Sequence, residues 1–304
     1  MKNEIQSVSS KIANSATVKA IVIGVLMLFM MIPALMVQDL IRDRESASRM
    51  VTLEVGAKWG NRQTLTGPVI GVPYKYAVAD NNSMREVRDI AYFLPEELNI
   101  EANMQPEIRY RSIYKVVVYQ SEIKVGGLFK HPDFEKLNAR ASFIDWENAF
   151  VVIGVSDLRG IRSNVVFNWD GKPKESMSGV DDSKLVESGI TVKIPLKAEN
   201  ADDKTYPFNF TLTLNGSDGL FFVPVGKTTG VTMTSTWDAP SFDGAFLPDR
   251  RDIAADNGFT ATWKVFNYNR NFPQMWTGGA YRLQSSEFGV NLLLPVDHYQ
   301  KAMR

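Results

Sequence analysis

The chain has no cysteine and only two histidines, His131 and His298. Thiolate chemistry and disulfide staples are excluded, and zinc sites of the usual Cys/His types have too few ligands. A protein without thiols suits an oxidising compartment, although it is equally at home in a reducing one. Charge of one sign is lacking too: 34 basic residues balance 34 acidic ones. Without a basic stripe to displace phosphate counterions, nucleic acid is not an expected partner. There is no G-x-S-x-G, no S-x-x-K with its companion motifs and no phosphate-cradling glycine loop. Gly126-Gly127 and Gly278-Gly279 read as turns. The pairs Asp181-Asp182 and Asp202-Asp203 lack the alternating ligand spacing of a calcium loop and read as solvated. His131, in GGLFKHPDF, reads as a surface loop residue, and His298, in PVDHYQ, reads the same way. No catalytic residue, cofactor or metal is therefore expected, and the chain reads as a non-enzyme. Two carboxylates that meet only in space remain the one route to hydrolytic chemistry.

What the chain does have is one long apolar run, the 18 residues Ala20–Val37. At 1.5 Å per residue these make about 27 Å of helix, close to the ~30 Å hydrocarbon core of a bilayer. The run exceeds the apolar region of a cleaved signal and is followed by Gln38-Asp39 rather than a small-x-small site. An uncleaved anchor in the lipid bilayer is expected. Lys2, Lys11 and Lys19 face Arg42, Arg44 and Arg49 across the run, so the positive-inside rule is tied. The large portion beyond it holds no stop-transfer run and is suited to export as a whole.

Domain organisation follows: a leader over 1–19, a transmembrane helix over 20–38, a juxtamembrane stalk helix over 39–60 and a β-rich region over 61–304. The stalk has no Gly or Pro before Gly56. Val51 to Trp59 also alternate like a strand, but a helix ending near Gly60 is preferred. Beyond Gly60 the hydrophobic period changes to two. Phe208, Phe210, Leu212 and Leu214 alternate with polar residues, and the Asn215–Gly219 turn signal predicts a hairpin with Leu220–Val225. Val231, Met233, Ser235 and Trp237 alternate likewise, and Ile108 to Val118 reads as one strand. Further strands are expected over 69–76, 89–94, 121–129, 150–155, 164–169, 190–195, 259–266 and 282–294. The fold class is mainly β, an antiparallel sandwich-like region with one large or two smaller lobes. Asp170–Lys184 and Lys197–Thr205 are loops by composition, with a soft lobe boundary near 175.

The densest unusual stretch is Ser235–Ile253, STWDAPSFDGAFLPDRRDI. Trp237, Phe242 and Phe246 are interleaved with Asp238, Asp243, Asp249, Arg250 and Arg251, and the chain is bent by Pro240, Gly244 and Pro248. Aromatic and arginine groups on a turn-rich segment suit a binding hot spot. Trp237, Asp238, Pro240, Ser241, Phe242, Phe246, Asp249 and Arg250 are the candidate interaction residues. The blander alternative is that the aromatics plug the end of a sandwich while the charges are solvated. Trp263 and Phe272–Trp276 carry the same two readings and are expected to pack against this stretch.

Several blocks, in order, resemble one known family. They are LIRDRES (40–46), WGNRQTLTGPVIGVPY (59–74), GVSDLRGI (154–161), the W-x-x-P-S-F-x-G-x-F-L-P block (237–248), FPQMW (272–276) and FGVNLLLPVDHYQKAMR (288–304). Together they identify the chain as a member of the CreD family of bacterial inner-membrane proteins, also called cell envelope integrity proteins. The resemblance implies a cytoplasmic N-terminus, a periplasmic β domain and no catalytic residues. It further implies a part in envelope integrity and in tolerance to colicins or cell-wall antibiotics. Family members continue past the PVDHYQ block into several membrane-spanning helices. This sequence stops at Arg304, so it resembles a truncated product or fragment.

The expected function is thus a non-enzymatic, inner-membrane-anchored contribution to envelope integrity, through contact with an envelope protein or cell-wall component. The alternative is a periplasmic sensor or ligand-binding module for cell-wall fragments, which requires a concave polar-aromatic pocket in the β domain. A hydrolase ranks below both and requires a convergent carboxylate pair.

Overall fold

The computed structural model describes residues 16–80, 83–137, 139–180, 185–198, 204–254, 258–279 and 281–294. It is mainly β, with 53% of residues in strands behind one long apolar helix. The chain divides into two compact units, residues 1–52 and 53–304.

Within the first unit runs most of helix α1 (Ala16–Trp59), which contains Pro33. Along its apolar stretch the side chains are exposed: Met27, Met30 and Met36 are 68, 74 and 67% exposed. Among the described residues it is the one helix long and apolar enough to cross a membrane. A stretch apolar on every side and exposed among the described residues is suited to a lipid surround.

The second unit begins with the last turns of α1, Leu53–Trp59, and continues into strands. One layer has β1 (Gln63–Asp80) at its centre. The first half of β1 lies between β11 (Gly219–Val223) and β6 (Phe150–Val155), and its second half runs beside β2 (Ser83–Phe93). β17 (Phe288–Leu292) and β13 (Pro240–Gly244) extend this layer beyond β11, and β9 (Gly189–Lys193) extends it beyond β6. The short strands β5 (Phe143–Ile144) and β16 (Met275–Thr277) pair with β1 and β2. The other layer orders β14 (Arg250–Ala254), β15 (Gly258–Phe266), β12 (Thr228–Ser235), β3 (Glu97–Arg111), β4 (Tyr114–Lys130), β10 (Thr205–Ser217) and β7 (Val166–Trp169).

β8 (Lys172–Ser178) joins the layers. Its first half pairs with β7 and its last three residues with β9. The expected loop over 170–184 therefore contains a strand, and residue 175 lies within it. Five of the seven β8 residues are exposed, so no apolar alternation marked the strand in the sequence.

Two pairings depart from the expected antiparallel pattern: β1 with β11 and β3 with β12 are parallel. Such pairs cannot be closed by a tight turn, and the chain between them passes through both layers. The hairpin expected at Asn215–Gly219 is absent. Asn215 and Gly216 stay in β10, opposite Gln120 and Tyr119, while β11 crosses to the other layer after Asp218, whose φ is 64°. Gly216 is bare for packing rather than for turning. A Cβ there would lie 2.3 Å from the hydroxyl of Tyr119, whose fully buried side chain donates across the sandwich to the Gly219 carbonyl at 2.8 Å. The single strand expected over 108–118 is instead the tip of the β3–β4 hairpin, turned at Ser112 with φ 55°.

Period-two burial fills the space between the layers. β12 buries Thr229, Val231, Met233 and Ser235, and β10 buries Tyr206, Phe208, Phe210, Leu212 and Leu214. Each large apolar side chain so buried contributes about 1.5–3 kcal/mol. Gly126 and Gly127, read as a turn, lie inside β4, where a Cβ on Gly127 would come within 2.0 Å of the Glu97 carbonyl oxygen. His131 is buried rather than on the surface. Its Nδ1 lies 3.0 Å from the Tyr206 hydroxyl and its ring 5.0 Å from that of Trp146. Asp181-Asp182, Asp202-Asp203 and His298 fall outside the described residues.

Candidate functional site

The stretch singled out by sequence, Ser235–Ile253, closes the corner of the sandwich opposite β8. It leaves β12, forms the edge strand β13 of one layer, crosses, and forms the edge strand β14 of the other. Its aromatics turn inward. Trp237 is 9% exposed and donates through Nε1 to the Leu293 carbonyl at 3.2 Å. Phe242 meets Phe259 and Trp263 edge-on, and Phe246 meets Phe288. Pro240 and Ser241 are half-buried in β13. Asp249 accepts from the Lys264 amide at 2.7 Å, whereas Asp238 and Arg250 are exposed. Trp263 packs against this stretch, its Nε1 donating to the Phe246 carbonyl. Phe272 and Trp276 do not. Trp276 contacts Tyr92, Phe272 and Tyr281 instead.

A second convergence was not singled out as a site. The blocks 59–74 and 154–161 meet at the end of α1. Asp157 and Arg159 form a two-point ion pair, Nε to Oδ1 at 2.9 Å and Nη2 to Oδ2 at 2.8 Å. Nη1 of Arg159 donates to the Ala57 carbonyl at 2.7 Å, capping a helix-terminal acceptor. The Asn61 backbone and side-chain amides both donate to Asp157. Gln63 bridges the Asp157 and Asn215 carbonyls, each at 3.1 Å, and accepts from the Asp157 amide. Trp59 donates to the Tyr119 carbonyl at 3.2 Å beneath the Arg109 guanidinium, 3.7 Å from its ring. The Arg159 hydrogen bond holds the Asp157 carboxyl below its ordinary value.

Beside this joint lies a cleft of about 580 Å³ on the outer face of β1 and β6. Leu65 and Val155 point into the core, so Thr64, Thr66, Gly154 and Ser156 point outward into the cleft. The segment Leu185–Ser188 and the residues Tyr281, Arg282 and Gln284 form its other wall. Thr64 donates to Glu287 at 3.0 Å, and Ser156 donates to the Arg62 carbonyl at 3.0 Å. By contrast, the side chains of Thr66, Glu187, Tyr281, Arg282 and Gln284 make no hydrogen bond or ion pair among the described residues. The signal in the sequence was the alternation Gln63-Thr64-Leu65-Thr66, which gives β1 a polar outer face. The opposite wall comes from a distant stretch that no periodicity links to it.

A third feature is Arg270, 7% exposed. It donates to the Pro224 and Val225 carbonyls and to the side-chain oxygen of Gln274, which in turn bonds the Leu94 and Pro95 carbonyls. Burial pulls its pKa down to about 10, still well above neutrality. Among the described residues, no group of three His, Asp or Glu side chains is placed to hold a metal ion.

An apolar anchoring helix, a mainly β unit and an open cleft of mixed polar and apolar lining define a membrane-tethered β-sandwich protein. Residues 15–304 match the family "Inner membrane protein CreD", and the chain belongs to that family. It is 29% identical over 279 residues to inner membrane protein CreD of Escherichia coli K12, a stretch covering 90% of this chain. It spans 61% of that relative's length. Among solved structures, a zinc metallopeptidase of the M1 class from Deinococcus radiodurans shares 9% identity over 57% of this chain and 38% of its own, with a TM-score of 0.26. A protein from Legionella pneumophila described as nutrient-binding shares 5% identity over 69% of this chain and 72% of its own, with a TM-score of 0.30. Likenesses at these scores carry no argument about fold or activity.

Proposed function

We propose that this chain is a non-enzymatic binding module of the inner membrane that contributes to envelope integrity, and to tolerance of agents attacking the envelope. In this reading the N-terminus is cytoplasmic and the sandwich is periplasmic. The observation that carries it is the cleft, where Thr66, Glu187, Tyr281, Arg282 and Gln284 offer donors and acceptors that the protein leaves unused. Such a set is suited to holding a polar envelope component.

A second reading, a sensor of cell-wall fragments, is favoured by one contact chain. Ser156 lines the cleft, and its neighbour Asp157 holds the arginine bonded to the Ala57 carbonyl of α1. Occupancy of the cleft is then felt at the helix end.

Expression of this chain in a deletion strain, scored by detergent sensitivity and leakage of periplasmic contents, tests the proposal. Rescue is expected from the wild-type chain and its loss from Tyr281→Ala. Rescue that is indifferent to cleft substitutions would move the activity elsewhere in the molecule.

A further inference from the structure

We infer that the cleft over β1 and β6 is a site for an uncharged oligosaccharide, an inference that rests on the binding-module reading above. Three observations select this class. The first is charge: Glu187 and Arg282 face the same cleft, neither is ion-paired among the described residues, and together they sum to zero. An anion meets Glu187 and a cation meets Arg282, so neither gains a one-signed field. The second is shape. Carboxylate, guanidinium and amide are planar groups with paired hydrogen-bonding atoms, matched to two adjacent hydroxyls or to a hydroxyl and an acetamido group. Glu187, Arg282 and Gln284 supply one of each, and Thr66 adds a hydroxyl. Beside them stands Tyr281, 37% exposed and steadied edge-on by Trp276 at 5.7 Å. Its apolar ring face suits the C–H face of a pyranose, and its hydroxyl adds a hydrogen bond.

The third observation argues against an extended peptide. Peptides bind sheets by adding a strand at a free edge. β6 lies between β1 and β9, and the first half of β1 lies between β6 and β11, so neither strand of the cleft floor offers a free backbone edge. Recognition there falls to side chains, and a volume of about 580 Å³ lies within the ~300–1,000 Å³ range of small-ligand sites.

The test is isothermal titration of the full 304-residue chain in detergent micelles. The probes are cellotetraose, its N-acetylated β-1,4-linked counterpart, and a tetrapeptide of neutral residues. Saturable binding of at least one sugar is expected. Tyr281→Ala should weaken it at least tenfold, Glu187→Gln and Gln284→Ala three- to tenfold each, and Thr232→Ala, in the other layer, not at all. Melting temperatures establish that each variant is folded. No saturable sugar binding by the folded wild-type chain, sugar binding unaffected by the cleft substitutions, or binding of the peptide alone would each overturn the assignment. If sugar binding fails while the chain still rescues the deletion strain in a Tyr281-dependent manner, the ligand class falls and the binding-module reading stands.

Discussion

Asp157 and Arg159, two residues apart, grip each other at two points while the third guanidinium nitrogen holds the Ala57 carbonyl, 102 positions away in sequence. A carboxylate 9% exposed that also accepts from Asn61 leaves several donors unanswered when neutralised. Asp157→Asn is expected to cost about 1–2 kcal/mol, lowering Tm by roughly 2–8 °C. An unchanged Tm would show that the joint adds nothing to stability.

The same pair sets an acid dependence. The native carboxyl is held below its ordinary value of 3.8, chiefly by Arg159, so the unfolded chain takes up the proton first as pH falls. The contribution is intact above about pH 4 and is lost as pH drops through the lower native value. Denaturant midpoints measured between pH 5 and 2.5 should fall less steeply in Asp157→Asn than in the parent. Parallel curves would refute the assignment.

Tyr119 and Gly216 give a steric prediction. Gly216→Ala places a Cβ 2.3 Å from the hydroxyl and 2.4 Å from Cζ of a fully buried ring. Overpacking of this kind costs about 1–3 kcal/mol. Tyr119→Phe keeps the ring and loses only the bond to Gly219, about 1 kcal/mol. The double variant, relieved of the hydroxyl but not of Cζ, should recover part of the Gly216→Ala loss. Additive effects would show that the two residues do not meet.

The corner segment separates packing from recognition. Trp237→Ala removes a buried indole and its bond to Leu293, an expected loss of about 3–5 kcal/mol, whereas exposed Arg250→Ala should change stability by no more than about 0.5 kcal/mol. An envelope defect from Arg250→Ala in a chain of unchanged Tm would assign recognition to the corner. Wild-type behaviour would leave the cleft as the better site.

The proposed orientation has a clean readout because the chain contains no cysteine. Ser285→Cys, at an exposed position, is expected to react with a membrane-impermeant maleimide in cells whose outer membrane alone is permeabilised. Labelling only after lysis of the inner membrane would invert the topology.

Much of the architecture was legible. The bounds of β6 coincide with the alternating and apolar signals in sequence, β10, β12 and β15 fall within a few residues of theirs, and α1 ends at Trp59, just short of Gly60. What escaped detection depended on partners distant in sequence. Glycines at 127 and 216 carried turn chemistry but serve close approach between strands, which one strand's pattern does not reveal. The exposed residues of β8 hid a strand whose role is to link two layers. Trp237 and Phe246 carried a hot-spot composition, while their neighbours Leu293 and Phe288 lie more than forty residues downstream. The cleft was half visible in Thr64 and Thr66 and invisible in Tyr281 and Gln284.

β1 follows helix α1 after three residues and pairs with β2, β5, β6 and β11 along its 18 residues. Tension drawn through the chain at Gln63 therefore enters the sandwich lengthwise along its most widely bonded strand. It loads many ladder bonds together in shear rather than peeling them one at a time. A tethered domain wired in this way withstands pulling on its leash, whereas the edge strands β13 and β14, bonded on one side, are the parts a sideways force would strip first.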